Sequence, residues 1–398
     1  MIYSRGRAMT AQAQARANFS RISLATVSLA PLLGACAMDL PDARVIISTR
    51  VLAIQTAVTN SLLENTDPEA DVDRPKAQAL PFDTVELRPF IVDPEGEVDP
   101  DSLDILWLAC ELTPGQGLFA CIQDAFPTTL DDIPDCEPPD FAALMSEELP
   151  ELPSPCVIGR EGTPEYQVPF SANVFIGGAV ELTMISGVPD GTNTDTCARE
   201  LFSGAFDLPD DCLFAVQRLN IGPVERLIKV AADFGVELPG FEVPEEEDIP
   251  DPDRNPRISQ VRVGIIEDGE QVGDAAILDY GGSFSAPLGS TLQIEVDSPE
   301  EDLQVFPIPV NNGESFEDRS EAYSGDWYRT WGRLLSGTSD DPMSFNRWTL
   351  AQGDQDEDET PPGDVARMYY AVRDGRQGVN WFWFEVEVTE PELDDAAP

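Results

Sequence analysis

Hydrophobic and polar positions alternate along most of this chain, and their period sets the expected fold class. In TVELRPFIV (84–92), Val85, Leu87 and Ile91 alternate with Glu86 and Arg88, and Asp93-Pro94-Glu95-Gly96 supplies a turn behind them. The run LDILWLAC (103–110) is apolar almost throughout, which suits a central strand with Trp107 in the core. Alternation returns at Val180, Leu182 and Met184, at Val261, Val263 and Ile265, and at Leu292, Ile294 and Val296. It closes the chain at Met368, Tyr370 and Val372 and at Phe382, Phe384, Val386 and Val388. Asp374-Gly375-Arg376-Gln377-Gly378, between the last two runs, has the length and composition of a hairpin loop. One segment has a helical period instead: Val224, Leu227, Ile228 and Ala231 share a face of 223–234, with Pro223 in the first turn and Gly235 past the end. Short strands with turn punctuation and few helices predict a mainly β protein made of β-sandwiches.

Composition shifts divide the chain. The segment 242–256 (EVPEEEDIPDPDRNP) is acidic and proline-rich and reads as a semi-extended linker. It separates a first domain, 44–241, from a second, 257–390, with an acidic tail at 391–398. Within the first domain 121–160 is rich in proline and acid and contains cysteines, so it is expected to be a disulfide-stapled insertion, with a short helix at 141–149. The helix at 223–234 should pack on this domain by its amphipathic face.

The N-terminus has a different character. Residues 1–21 carry Arg5, Arg7, Arg16 and Arg21 and no acidic residue, and 22–33 (ISLATVSLAPLL) is apolar but too short to span a bilayer. Met9 would serve as a start as well as Met1, since two of the arginines follow it. Leu33-Gly34-Ala35-Cys36 resembles the lipobox of bacterial lipoproteins. That resemblance implies a signal peptide over 1–35, cleavage before Cys36, acyl chains on that cysteine, and a tether over 36–43. Two or more acyl chains hold a protein stably on a membrane. Ala37, in place of Asp, implies passage to the outer membrane by the sorting rule of the enterobacterial members.

Charge and residue usage narrow the chemistry. With 74 acidic and 24 basic residues the formal net charge is -50, so nucleic acid and anionic lipid surfaces are repelled. The chain has no histidine, which removes Ser-His-Asp and Cys-His sites, HExxH zinc sites and every His-ligated metal centre. Besides Cys36 there are six cysteines, Cys110, Cys121, Cys136, Cys156, Cys197 and Cys212, an even number that predicts three disulfides in an exported protein. Short loops favour pairing in sequence order. No Walker loop, GxGxxG or GxSxG occurs. What remains for catalysis is a carboxylate pair, as in a glycosidase, and with so many acids a pair by itself carries no information.

A second resemblance covers most of the mature chain. RVLAI (50–54), IVDPEG (91–96), WLAC (107–110), DDC (210–212), NPRI (255–258) and VRDGRQGVNW (372–381) are similar, in the same order, to stretches of Ig-like lipoproteins from gliding and predatory Gram-negative bacteria. The resemblance implies two Ig-like β-sandwich domains and a surface location, and brings no activity with it. The expected function is therefore a non-enzymatic, lipid-anchored envelope protein that binds a protein or glycan partner or acts as a spacer. A calcium-dependent module is the alternative, on the acid-rich turns holding Asp93, Asp99, Asp101 and Asp104 and on 354–364, although neither has EF-hand spacing. A carboxylate hydrolase is a second alternative, needing two carboxyls in a concave cleft.

The last strand offers one binding candidate. Phe382, Phe384, Val386 and Val388 share one face and Trp381, Trp383, Glu385 and Glu387 the other, so the tryptophans should point away from the sandwich core. They form either a stacking platform for sugar rings or a second aromatic cluster. The segment 311–363 contains Tyr323, Trp327, Tyr328, Trp331, Phe345 and Trp348, and its length favours a cluster with these aromatics lying over Trp381 and Trp383.

Overall fold

The structure, a computed structural model, describes residues 42–63, 74–113, 116–119, 130–139, 154–175, 178–189, 191–203, 209–233, 235, 242–310, 315–340, 343–351 and 360–390. The leader with Cys36, the residue Cys121, the expected helix at 141–149 and most of the acidic stretch 354–364 lie outside the described residues.

The first half holds strands β1 (Arg50–Asn60), β2 (Thr84–Asp93), β3 (Gly96–Glu97), β4 (Ile105–Leu112), β5 (Cys156–Gly159), β6 (Glu165–Gln167), β7 (Ala179–Gly187) and β8 (Cys212–Asn220). Strands β1 and β2 pair antiparallel from Arg50 opposite Val92 to Asn60 opposite Thr84, with β3 and β6 along the other side of β2. The facing sheet runs β5-β4-β7-β8. Alternate residues of each sheet meet in one core: Val85, Leu87 and Ile91 from the first, Ile105, Trp107, Leu182 and Met184 from the second. Fully burying each aliphatic side chain contributes about 1.5–3 kcal/mol. Trp107 is wholly buried and still donates its Nε1–H to the Glu161 carbonyl at 2.9 Å.

Strand β7 is buried on both faces because helix α1 (Thr194–Phe202) covers the outside of its sheet. Asn193 caps this helix, its Oδ1 accepting the Thr196 amide at 2.9 Å, and Asp195 sits in the first turn where the helix dipole favours an anion. Cys197, Ala198 and Leu201 pack on Leu106, Leu108 and Ile185. A disulfide from Cys197 to Cys212 ties α1 to the start of β8, and one from Cys136 to Cys156 ties the insertion to β5. Cys110 is disulfide-bonded as well. The expected amphipathic helix is α2 (Val224–Asp233), with Leu227 in the first core and Gly235 following it at φ +77°.

The second half adds β9 (Gln260–Glu267), β10 (Glu270–Leu278), β11 (Gly282–Pro287), β12 (Thr291–Asp297), β13 (Val305–Val310), β14 (Ser315–Ser320), β15 (Ser324–Arg329), β16 (Arg333–Leu334), β17 (Thr338–Ser339), β18 (Met343–Thr349), β19 (Val365–Arg373) and β20 (Val379–Thr389). Two sheets, β10-β9-β12-β18-β16 and β11-β20-β19-β15-β17, enclose a second core, and β13-β14 is a separate ribbon. The hairpin at 374–378 joins β19 to β20 as expected. Phe382, Phe384, Val386 and Val388 face this core, in the parity read from the sequence.

The long segment 311–363 differs from expectation. Its described part supplies β14 to β18, and Tyr323, Trp327, Trp331 and Trp348 lie inside the second core, not over the outer face of β20. Phe345 is exposed. The segment pairs as strands because its aromatics complete a sandwich that would otherwise lack much of its facing sheet.

The outer face of β19 and β20 is covered by the first sandwich. Leu52, Ala53, Phe90 and Val92 of β1 and β2 pack with Tyr369 and Val379, and Tyr328, Trp381 and Trp383 border them. Residues 42–46 join this seam from the side: Ile46 donates its N–H to the Arg329 carbonyl at 2.8 Å, and Arg329 donates its N–H to that of Arg44 at 3.0 Å. The end of the proline-rich segment is also fixed. Asp253 and Asn255 are each 1 % exposed, Ala77 donates its N–H to the Asp253 carbonyl, and Asn255 Nδ2 donates to the Thr56 carbonyl at 2.8 Å.

Candidate functional site

Trp381 and Trp383 point away from the second core and are half-buried in the seam. The Trp381 ring stacks on Phe90 with centroids 5.0 Å apart and planes 9° apart. Its Nε1–H donates to the Tyr280 hydroxyl at 2.9 Å, and that hydroxyl donates to Glu97 Oε2 at 2.7 Å. The same Glu97 oxygen accepts the Trp383 Nε1–H at 3.1 Å. Burial, reinforced by the Glu97 carboxylate, holds the Tyr280 phenol above its ordinary range, so it stays a donor. The Trp383 ring lies between two glycines: a Cβ on Gly96 would stand 3.4 Å from it and one on Gly281 3.2 Å, and both glycines have positive φ. The two tryptophans are therefore wall elements of an aromatic seam, with their N–H groups already used.

Beside the seam a groove of about 460 Å³ opens between the sandwiches, with Gln55 and Arg88 on one side and Ser259, Asp279, Tyr280 and Trp381 on the other. Tyr280 is 48 % exposed and forms the aromatic lip. Arg88 projects from β2 and pairs with Glu86. Among the described residues Asp279 is the one carboxylate of the lining, whereas two-carboxylate glycoside hydrolysis needs a pair.

The four carboxylates expected for calcium do not converge. Asp93 Oδ1 accepts the amides of Glu95 and Gly96 in its own turn, and Asp99 Oδ1 accepts the Asp101 amide at the start of a 3-10 turn. Asp104 pairs with Arg160 at 3.0 Å. Asp93 and Asp99 thus act locally, as Asp does in turns and caps, whereas Asp104 is taken up by an arginine 56 positions on. Among the described residues, no three carboxylate or thiol side chains are placed to hold a metal ion.

A different pair of acids is buried where the two sandwiches meet the end of the proline-rich segment. Asp253 and Asp374 are 1 % and 2 % exposed. Asp374 Oδ1 accepts the amides of Arg376, Gln377 and Gly378 and so shapes the hairpin, while among the described residues its Oδ2 and both oxygens of Asp253 have no well-formed hydrogen bond, the Arg254 amide approaching Asp253 only loosely. Burial, and next the charge of Asp374, push the Asp253 carboxyl up to about 8. Burial pushes Asp374 up to about 7, with Glu321 adding to the rise and the Arg376 amide opposing it. Arg376 pairs with Glu321 at 3.0 Å and donates to Gln78 Oε1 at 3.2 Å, and the same Gln78 oxygen accepts the Asp253 amide at 3.1 Å. Sequence reasoning missed this pair, because one member lies in the linker and the other in a hairpin 121 positions later.

Tandem sandwiches, an aromatic seam and a shallow groove define this as a two-sandwich β protein with its candidate site between the halves. No family model matches the chain, and no curated protein matches it. Among solved structures it is similar to dimeric latent PorU from Porphyromonas gingivalis, at 12% identity and a TM-score of 0.18, over 88% of this chain and 24% of that one. The chain thus spans about a quarter of the length of that protein.

Proposed function

We propose that this protein is a lipid-anchored, non-catalytic component of the cell envelope that presents the groove between its sandwiches to a protein or glycan partner. The observation that carries this reading is the groove itself. It is shallow and aromatic-lipped, with an exposed Tyr280 ring, a projecting arginine and several amide and hydroxyl groups, and it is held in shape by a seam of buried rings. Aromatic surface beside a few polar groups suits recognition of sugar rings or of an extended peptide. The lipobox-like Leu33-Cys36 stretch supports the anchor, and the cysteine pairing supports passage through an oxidising compartment. Among the described residues, no helix is long and apolar enough to cross a membrane.

The test compares retention of wild type and the double variant Arg88→Ala/Tyr280→Ala on envelope glycans and envelope proteins from the source cell. Because Tyr280 also bonds Trp381 and Glu97 and packs on Phe382, the melt is read beside retention, and Arg88→Ala alone, which leaves the seam intact, is compared with the double variant. Retention that falls at least tenfold, with an unchanged melt, supports the groove. Equal retention by both proteins removes it as the binding site.

A further inference from the structure

We infer that Asp253 and Asp374 are ligands of a divalent-cation site, suited to calcium, that locks the linker and the second sandwich's hairpin onto the first sandwich. Among the described residues, three carboxylate oxygens are buried here without a well-formed hydrogen bond: both of Asp253, approached by the neighbouring Arg254 amide, and Oδ2 of Asp374. A buried polar group without a partner is costly, and a buried charge more so, so a pair of this kind calls for a positive species. The surroundings are short of donors. Gln304 gives its Nε2–H to the Pro252 carbonyl, and its own Oε1 is buried without a donor among the described residues. The Asp374 carboxylate packs where a Cβ of Gly378 would be, 1.9 Å from that position, and the Arg254 carbonyl oxygen lies 2.9 Å from the same position, so a carbonyl oxygen of the linker stands beside Asp374 Oδ2.

Charge decides the valence. The carboxylates of Asp253, Asp374 and Glu321 act on one another, and Arg376, already spanning Glu321 and Gln78, is the cation that acts on both aspartates. With Glu321 already paired to Arg376, a divalent cation would match the charge of the two aspartates in their ionised form. Carboxylate, amide and carbonyl oxygens without nitrogen or sulfur are the ligands of a hard cation, and calcium accepts irregular oxygen sets of this kind more readily than magnesium, completing its shell with water. The position gives the site a mechanical role. Asp253 is bonded through its backbone to Ala77 of the first half, and Asp374 shapes the hairpin from which Arg376 and Gln377 carbonyls accept Asn220 and Gln217 side chains of β8. A cation held by both aspartates would clamp the sandwiches at this point. This inference stands apart from partner recognition, and neither depends on the other.

The experiment uses the purified full chain and calcium alone. Terbium luminescence sensitised by nearby aromatics, displaced by calcium, reads binding, and calorimetric melting in calcium, magnesium and chelator reads the clamp. A saturable site with one equivalent of calcium and a higher melt in calcium than in chelator is expected. Asp253→Asn and Asp374→Asn should each weaken it at least tenfold, while Asp356→Asn/Asp358→Asn, in the acidic run of the sequence at 354–364, should not. The Asn variants keep the volume, and their folding is checked by their melt in chelator. A wild type whose melt ignores calcium, or a calcium effect that survives both Asn variants, would overturn the site. In the first case, variants more stable than wild type in chelator would mean that a proton holds the pair.

Discussion

Truncating Phe90 separates the two roles a buried ring can have in this molecule. Phe90 is fully buried, yet it belongs to neither sandwich core: it lies flat against Trp381 and meets Tyr369 edge-on at 6.3 Å and 63°. Phe90→Ala removes a ring from a close-packed site, which costs about 3–5 kcal/mol, and the lost aromatic pairs account for about 0.5–1.5 kcal/mol each beyond area burial. Because these contacts join the halves, the loss falls on their coupling. Calorimetry should show one transition for wild type and two for the variant, the lower one displaced by on the order of 10 °C. Leu292→Ala is the control. It truncates an equally buried side chain inside the second core and should lower the melt by about 2–5 kcal/mol while the halves still unfold together. A Phe90→Ala protein that melts within about 1 kcal/mol of wild type, or that loses stability without any change in cooperativity, would refute the seam as the source of the coupling.

Cys36→Ser should abolish acyl labelling and release the protein from membranes; labelled, membrane-bound variant would remove the lipobox reading. Replacing Cys197 and Cys212 by Ala should lower stability by about 2–5 kcal/mol and loosen α1, seen as faster amide exchange over 194–202. Trp381→Ala/Trp383→Ala should cost several kcal/mol, on the order of 3–5 for one buried ring, and an unchanged melt would return the tryptophans to the role of an open platform. Gly281→Ala, which places a methyl against the Trp383 ring at a positive φ, should destabilise by about 1 kcal/mol or more; a neutral result would mean the ring moves freely.

Strand periodicity made the inward faces legible and left the outward ones obscure. The parity of β20 placed Phe382 and Phe384 inside and the tryptophans outside, because two glutamates share the tryptophan face. What covers Trp381 is non-local, and the best signal for it lay in runs where alternation stops. Phe90-Ile91-Val92 and Met368 to Val372 are buried at every position, since each strand packs on a core and on the other sandwich. Such an unbroken apolar run marks a strand covered on both sides. Helix α1 left a fainter trace: Asn193 and Asp195 before Cys197, Ala198 and Leu201. The groove had no trace at all, because Arg88 and Tyr280 are ordinary surface residues until the sandwiches meet. The acidic turns misdirected the calcium reading for a related reason: exposed aspartates are conspicuous in a sequence, whereas a lone Asp becomes a strong electrostatic feature only where folding buries it.

The path of the first described residues sets how a load would travel through the molecule. Arg44 to Ile46 lie against β15 of the second sandwich, with Arg44 paired to Asp326 and Arg329 to Asp42, before β1 enters the first. If acyl chains on Cys36 hold the protein to a membrane, the six residues up to Asp42 reach at most about 20 Å. The sandwich that comes second along the chain is then gripped directly at its moorings, and tension on the anchor is divided between both halves without passing through the proline-rich segment.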